Sequence, residues 1–145
     1  MHIFPISKIP KDSLLQLWVE YCGIFETPYS FDVSVALSAV GAAMRRNCWF
    51  DQTDWHVYPN LPVLLVGGSG TGKDTAINRI TRLLMELDIV PIIGGRSPET
   101  ITDILYRQQA DPTVAVIKAG ELSDFFGKKD YQSGMLQCIT DLLSN

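Results

Sequence analysis

The chain has 145 residues, enough for one domain whose core buries roughly 70% of the surface an unfolded chain exposes. Hydrophobic residues at 46% against 19% charged exclude an intrinsically disordered chain, which is poor in apolar residues and high in net charge. Twelve basic and sixteen acidic residues leave a net charge of −4, so there is no basic surplus of the kind that holds small domains to nucleic-acid phosphates.

Cys22, Cys48 and Cys138 are dispersed with no Cys-x-x-Cys pair, which argues against a disulfide framework and against a structural zinc site. His2 and His56 have no ligand-spaced partner. The opening Met1–Pro5 lacks the charged and apolar regions of a secretory signal. No apolar run approaches the roughly 20 residues that span a bilayer. The expectation is a chain with no membrane partner in a reducing cytoplasm.

In chain order, Asp12 is placed to cap a short helix with Leu14, Leu17, Trp18 and Tyr21 on its buried face. Pro28 and Ser30 open a second helix, with Val33, Leu37, Val40, Ala43 and Met44 as the expected buried stripe. Arg45 and Arg46 close it, where positive charge suits the helix dipole; that reading is preferred to a ligand-binding one. Cys48–Phe50 and Trp55–Tyr58, split by the polar Asp51–Asp54, predict a small hairpin. Its aromatic residues read as cover for one edge of a core, the alternative being a stacking surface for nucleic-acid bases. His56 reads as structural. Residues 1–58 thus form a helical N-terminal segment with a hairpin.

From Pro59 the pattern changes. Leu61–Val66 is a continuous apolar run, the mark of a strand buried on both faces, and a glycine-rich stretch follows directly. A helix is predicted from Lys73 to Leu87, burying Ile77, Ile80, Leu84 and Leu87. Ile89–Ile93 reads as a second strand. Ser97, Pro98 and Glu99 make a cap, a first-turn proline and an acid near the positive end of a helix that carries Ile101, Ile104 and Leu105. Thr113–Ile117 reads as a third strand, with helical pieces from about Leu122 and from Tyr131 to Leu143. Strands alternating with helices predict an α/β fold with a parallel sheet over residues 59–145.

The segment Gly67-Gly68-Ser69-Gly70-Thr71-Gly72-Lys73-Asp74-Thr75 matches Gly-x-x-x-x-Gly-Lys, the core of the P-loop. Glycines are needed because the backbone must turn tightly and bring successive N–H groups toward one anion. The helix behind the loop adds its positive end, and Lys73 reaches β- and γ-phosphates. Those three fixed positions match by chance in about 4 of 100 chains this long. The preceding apolar run and the following helix lower that figure further.

Ser or Thr ordinarily follows the lysine and offers its hydroxyl to Mg²⁺; here Asp74 stands there, with Thr75 next. A carboxylate binds Mg²⁺ but also brings negative charge toward the phosphates. Asp74 and Thr75 are both candidate ligands, and the choice between them is open. The acidic partner of such a site lies at the end of a neighbouring strand, where Glu121 follows Val114–Gly120. Glu121 reads as a carboxylate that polarises water, or as the cap of the helix beginning at Leu122. Asp124, one turn further on, is the weaker substitute, and Gly120 stands where an Asp-Glu pair would begin.

Ala36–Ala43, Arg45-Arg46, Tyr58–Leu61 and the glycine loop come in an order that resembles the ATPase region of phage and bacterial primase–helicase-like replication proteins, a domain-of-unknown-function family. The resemblance continues through Ser97–Thr100, Gly120–Leu122, Lys129–Tyr131 and Thr140–Leu142, and covers most of residues 30–145. It implies a partial RecA-like P-loop NTPase sheet that binds ATP with Mg²⁺. In it Lys73 holds phosphate and Glu121 activates water. It further implies single-stranded DNA as a partner and a homo-oligomeric ring in the full-length parent, in a bacterial or phage-infected cell. Members of the family continue into a γ-phosphate sensor and an arginine finger, so the chain is expected to be an N-terminal piece or a truncation.

Two other readings stand beside it. Gly72-Lys73-Asp74-Thr75 also resembles the loop of (deoxy)nucleoside monophosphate kinases. Those enzymes begin at the loop's strand and use an arginine-rich lid, whereas only Arg96 and Arg107 follow the loop's helix here. The other reading is a nucleotide-binding assembly module without turnover.

Overall fold

A computed structural model describes residues 9–93, 96–107, 115–118 and 134–144. The elements are α1 (Leu14–Cys22), α2 (Tyr29–Met44), β1 (Phe50–Gln52), β2 (Trp55–Val57), α3 (Lys73–Met85), β3 (Val90–Ile93), α4 (Pro98–Arg107), β4 (Ala115–Lys118) and α5 (Met135–Ser144). The fold is mixed α/β, with one antiparallel hairpin and one short parallel pair. No helix among the described residues is long and apolar enough to cross a membrane.

Ser13, rather than Asp12, caps α1: its hydroxyl accepts from the Gln16 N–H at 3.2 Å. Gln16 reaches back to the Asp12 N–H at 2.9 Å, and Asp12 takes a φ of 60° to lead in. The buried face also differs from the expected one. Leu14, Leu17 and Tyr21 are exposed, while Cys22 is buried and Leu15, Trp18 and Val19 are half-buried. Residues 15, 18, 19 and 22 are themselves helically spaced, so a helix apolar nearly all round offers two stripes. Packing against α2 selects the one that includes Trp18, whose indole N–H donates to the Asp32 carbonyl at 3.0 Å.

α2 shows the same ambiguity. Val33 is buried as expected, but Leu37, Val40 and Met44 are exposed, and the buried set is Phe31, Asp32, Val35, Ala36, Ala39 and Gly41. α2 packs against both α1 and α3, and small residues let the backbones approach closely there. Phe31, Val35 and Ala76 form one core cluster, and Ala39, Leu84 and Ile89 form another; Ile80 packs against both. α3 ends at Met85, and Leu87, expected to be buried, is exposed.

A hairpin forms here as expected, but Asp51 and Gln52, read as part of the turn, belong to its first strand: Phe50 lies opposite Val57, Asp51 opposite His56 and Gln52 opposite Trp55, and the turn is Thr53–Asp54. Its aromatic residues do not cover a core: Phe50, Trp55 and Val57 share one face and are exposed. The other face carries its own stack. Arg46 lies over the Tyr58 ring at 4.2 Å, and Trp49 meets His56 edge-on at 5.7 Å.

β3 and β4 pair in parallel from Val90↔Ala115 to Ile93↔Lys118, as strand–helix–strand alternation predicts. Ser97 caps α4 through the Thr100 N–H. Ile92, Ile101 and Met135 form the core under this pair, joined by Ile104, Leu105, Ile117 and Ile139. The run Leu61–Val66 is not a strand in any ladder among the described residues. Leu61, Val63, Leu64 and Val66 are 41–76% exposed, and only Leu65 packs on the core of Phe31, Val35 and Ala76. An apolar run records affinity for a two-sided core but does not supply the flanking strands; among the described residues β3 pairs only with β4. The expected helix from Leu122 and the first residues of Thr113–Ile117 lie outside the described residues.

Candidate functional site

The glycine loop leads directly into α3. Gly70 and Gly72 take φ values of 75° and 77°, a region that side chains disfavour, so the glycines at these two places are required by the turn. Gly72 is the residue before the helix, and its carbonyl accepts from the Ala76 N–H at 3.0 Å. None of the N–H groups of residues 68–75 donates to a backbone carbonyl among the described residues. The loop therefore keeps a run of backbone donors at the positive end of a 13-residue helix.

Lys73 folds back over this loop. Its ammonium donates to the Gly67 carbonyl at 2.7 Å and the Gly68 carbonyl at 2.6 Å, with the Thr71 hydroxyl at 3.4 Å. Thr71 in turn donates to the Gly68 carbonyl at 2.9 Å. The cation is thus held at the loop's centre by neutral oxygens, two carbonyls and a hydroxyl, against which an anion would compete well. Asp74 and Thr75 are both exposed in the first turn of α3. Ser69 and Gly70 form the loop's exposed turn. Among the described residues no group of three or more His, Cys, Asp or Glu is arranged to hold a metal ion on its own.

Glu121, Gly120 and Asp124 lie outside the described residues. The strand that leads toward them, β4, ends at Lys118, whose ammonium donates to Asn78 Oδ1 on α3. The end of that strand is therefore fastened to the helix that begins with Lys73.

The N-terminal segment supplies contacts to the loop that the sequence pattern does not announce. A Cβ on Gly72 would lie 3.0 Å from Thr27 Cγ2, and one on Gly67 would lie 3.3 Å from Phe31 Cζ. Thr27 and Phe31 thus back the two ends of the loop. Behind them Asp32 and Arg79 form an ion pair at 3.0 Å, with side chains only 3% and 9% exposed. Arg79 also stacks over Phe25 at 3.9 Å and donates to Cys22 Sγ at 3.1 Å. Burial raises the Cys22 thiol pKa, against the Arg79 donor that lowers it. The available signals were an acid set in an apolar helix and an arginine in the loop's helix, but nothing in the sequence paired them.

Comparison with protein-family models, with curated proteins and with solved structures finds no match.

Proposed function

We propose that this chain binds ATP with Mg²⁺ through Gly67–Thr75. The observation that carries the reading is the Lys73 ammonium, set over a loop with unspent backbone donors and held there by the uncharged Gly67 and Gly68 carbonyls and the Thr71 hydroxyl. Lys73 turns from those carbonyls to the β- and γ-phosphates, and the loop's N–H groups take the remaining phosphate oxygens. Mg²⁺ neutralises charge on the same phosphates when bound, with Asp74 or Thr75 as the protein's ligand. Glu121 is the proposed base that polarises water, and the tie from Lys118 to Asn78 supports it by fastening the end of β4 to the loop's helix.

The wider role is an ATP-hydrolysing module of a replication helicase or primase-helicase, built on a RecA-like sheet. Support comes from the ordered motifs between Ala36 and Leu142 and from the parallel pairing of β3 with β4. Single-stranded DNA and ring assembly belong to this proposal. Binding without turnover, in an assembly module, is the second reading, and the acid Asp74 in the place of a hydroxyl favours it.

The test is Mg²⁺-dependent binding of a fluorescent ATP analogue to the chain and to Lys73→Ala. Saturable binding that the substitution abolishes supports the reading, and no binding to either protein overturns it. Among binders, DNA-stimulated hydrolysis supports the motor role. Phosphoryl transfer to a deoxynucleoside monophosphate would instead assign a kinase, and binding without hydrolysis the assembly module.

A further inference from the structure

Thr27 joins the glycine loop to the buried ion pair. Its Cγ2 meets the loop at Gly72, where a Cβ would already be 3.0 Å away and Thr27 Cα 3.6 Å away. Its hydroxyl donates to Asp32 Oδ2 at 2.6 Å, while Asp32 Oδ1 accepts from Arg79 on α3 at 3.0 Å. The backbone carbonyl of the same Asp32 accepts the Trp18 indole N–H at 3.0 Å. A closed circuit therefore runs from the start of α3 through Thr27 and Asp32 back to α3, with Trp18 of α1 hung from its centre.

The circuit has little slack. Asp32 and Arg79 are almost wholly buried, so their geometry cannot relax without stranding charge in the core. At the loop, Thr71 Oγ1 is 2.8 Å and Phe31 Cζ 3.3 Å from where a Gly67 Cβ would be. An anion that draws Lys73 from the Gly67 and Gly68 carbonyls removes two of the bonds that hold this packed loop. Close-packed contacts pass such shifts on rather than absorb them.

We infer that Thr27 is a positioning residue for the glycine loop, and that occupation of the loop by nucleotide is transmitted through Thr27 and Asp32 to Trp18. This inference rests on the nucleotide-binding reading above and adds regulation of that site by the N-terminal helices. A ligand that binds α1 differently in the two states would change nucleotide affinity by the same factor, because coupling between two sites is reciprocal.

The test uses the full chain with Trp49→Phe and Trp55→Phe, both on the exposed hairpin region, so that Trp18 alone reports. MgATP should shift Trp18 emission saturably, along the same curve as binding of the fluorescent analogue. Thr27→Val keeps the packing but deletes the donor to Asp32; it should bind roughly tenfold more weakly and lose the emission shift at saturation. Thr27→Ser keeps the donor and deletes the Cγ2 contact to Gly72; it should lose the shift as well, and it serves where the valine variant fails to fold. Nucleotide bound without a Trp18 response, or a parental response in both variants, overturns the inference. Absence of analogue binding overturns the nucleotide reading itself, and the analogue shows that directly.

Discussion

The carbonyl oxygen of Pro59 lies 2.0 Å from where a Cβ on residue 41 would be, so the chain leading to the glycine loop crosses α2 directly over Gly41. Gly41 is buried, and the crossing fixes where the segment from Tyr58 to Val66 leaves the helix. In an ordinary helix interior, alanine is more stable than glycine by about 1 kcal/mol. Here the added methyl meets backbone, which cannot swing away as a side chain can. Gly41→Ala is expected to destabilise the chain by about 1–3 kcal/mol, the cost of overpacking. Urea unfolding with an unchanged m-value would read this as a lower midpoint, and a raised midpoint would refute the close crossing.

Asp32 and Arg79 make the strongest polar tie between α2 and α3. Removing one partner leaves the other charge buried, a loss of about 3–5 kcal/mol. Asp32→Asn and Arg79→Met should each fall near that range, and the double variant should cost much less than their sum. Chemical denaturation of all four proteins measures the coupling, expected to exceed about 1 kcal/mol. Simple additivity would mean that the pair is bystander to the packing of Phe31 and Val35 on Ala76.

Cys22 gives the pair a chemical reporter. Burial raises its pKa above the ordinary 9.0, so the folded state holds this proton more tightly than the unfolded state does. The stability it contributes is complete below the unfolded pKa and is lost as pH rises toward and through the folded one. Stability should therefore decline above about pH 9, with a shallower slope in Cys22→Ala. The buried thiol should also react with a neutral alkylating agent far more slowly than the exposed Cys48. Mass spectrometry of the alkylated chain distinguishes the two sites, and equal rates would contradict the burial.

Much of this molecule was legible because local chemistry dictated it. The glycine loop, the helix from Lys73, the hairpin around Thr53 and Asp54, the Ser97 cap and the parallel β3–β4 pair all follow from short-range signals. The failures share one cause, which is that a chain rich in apolar residues under-determines which surface meets which. α1 offers Leu14–Leu17–Tyr21 and Leu15–Trp18–Cys22 as alternative faces, and only α2 decides between them. Leu61–Val66 has the composition of a central strand, yet strand formation depends on neighbours that composition does not specify. At the site, Lys73 was readable from spacing alone. Thr27 and the Asp32–Arg79 pair were not, since Asp32 and Arg79 stand 47 positions apart and carry no local signal of their contact.

On the proposed reading, Lys73 and Glu121 should separate binding from turnover. Lys73 is the cation over the loop, held by two carbonyls at 2.6–2.7 Å, and in that reading it leaves them for phosphate. Its loss removes charge-assisted bonds of about 1.5–3 kcal/mol, so Lys73→Ala should weaken ATP binding by roughly 10- to 150-fold and abolish hydrolysis. Glu121→Gln keeps the shape and hydrogen-bonding capacity of the side chain but cannot take a proton. It should bind ATP nearly as the parent does while hydrolysis falls roughly 10²- to 10⁴-fold, the usual contribution of a general base. Isothermal titration with single-turnover hydrolysis resolves the two effects. Parental turnover in Glu121→Gln would overturn its assignment as the base.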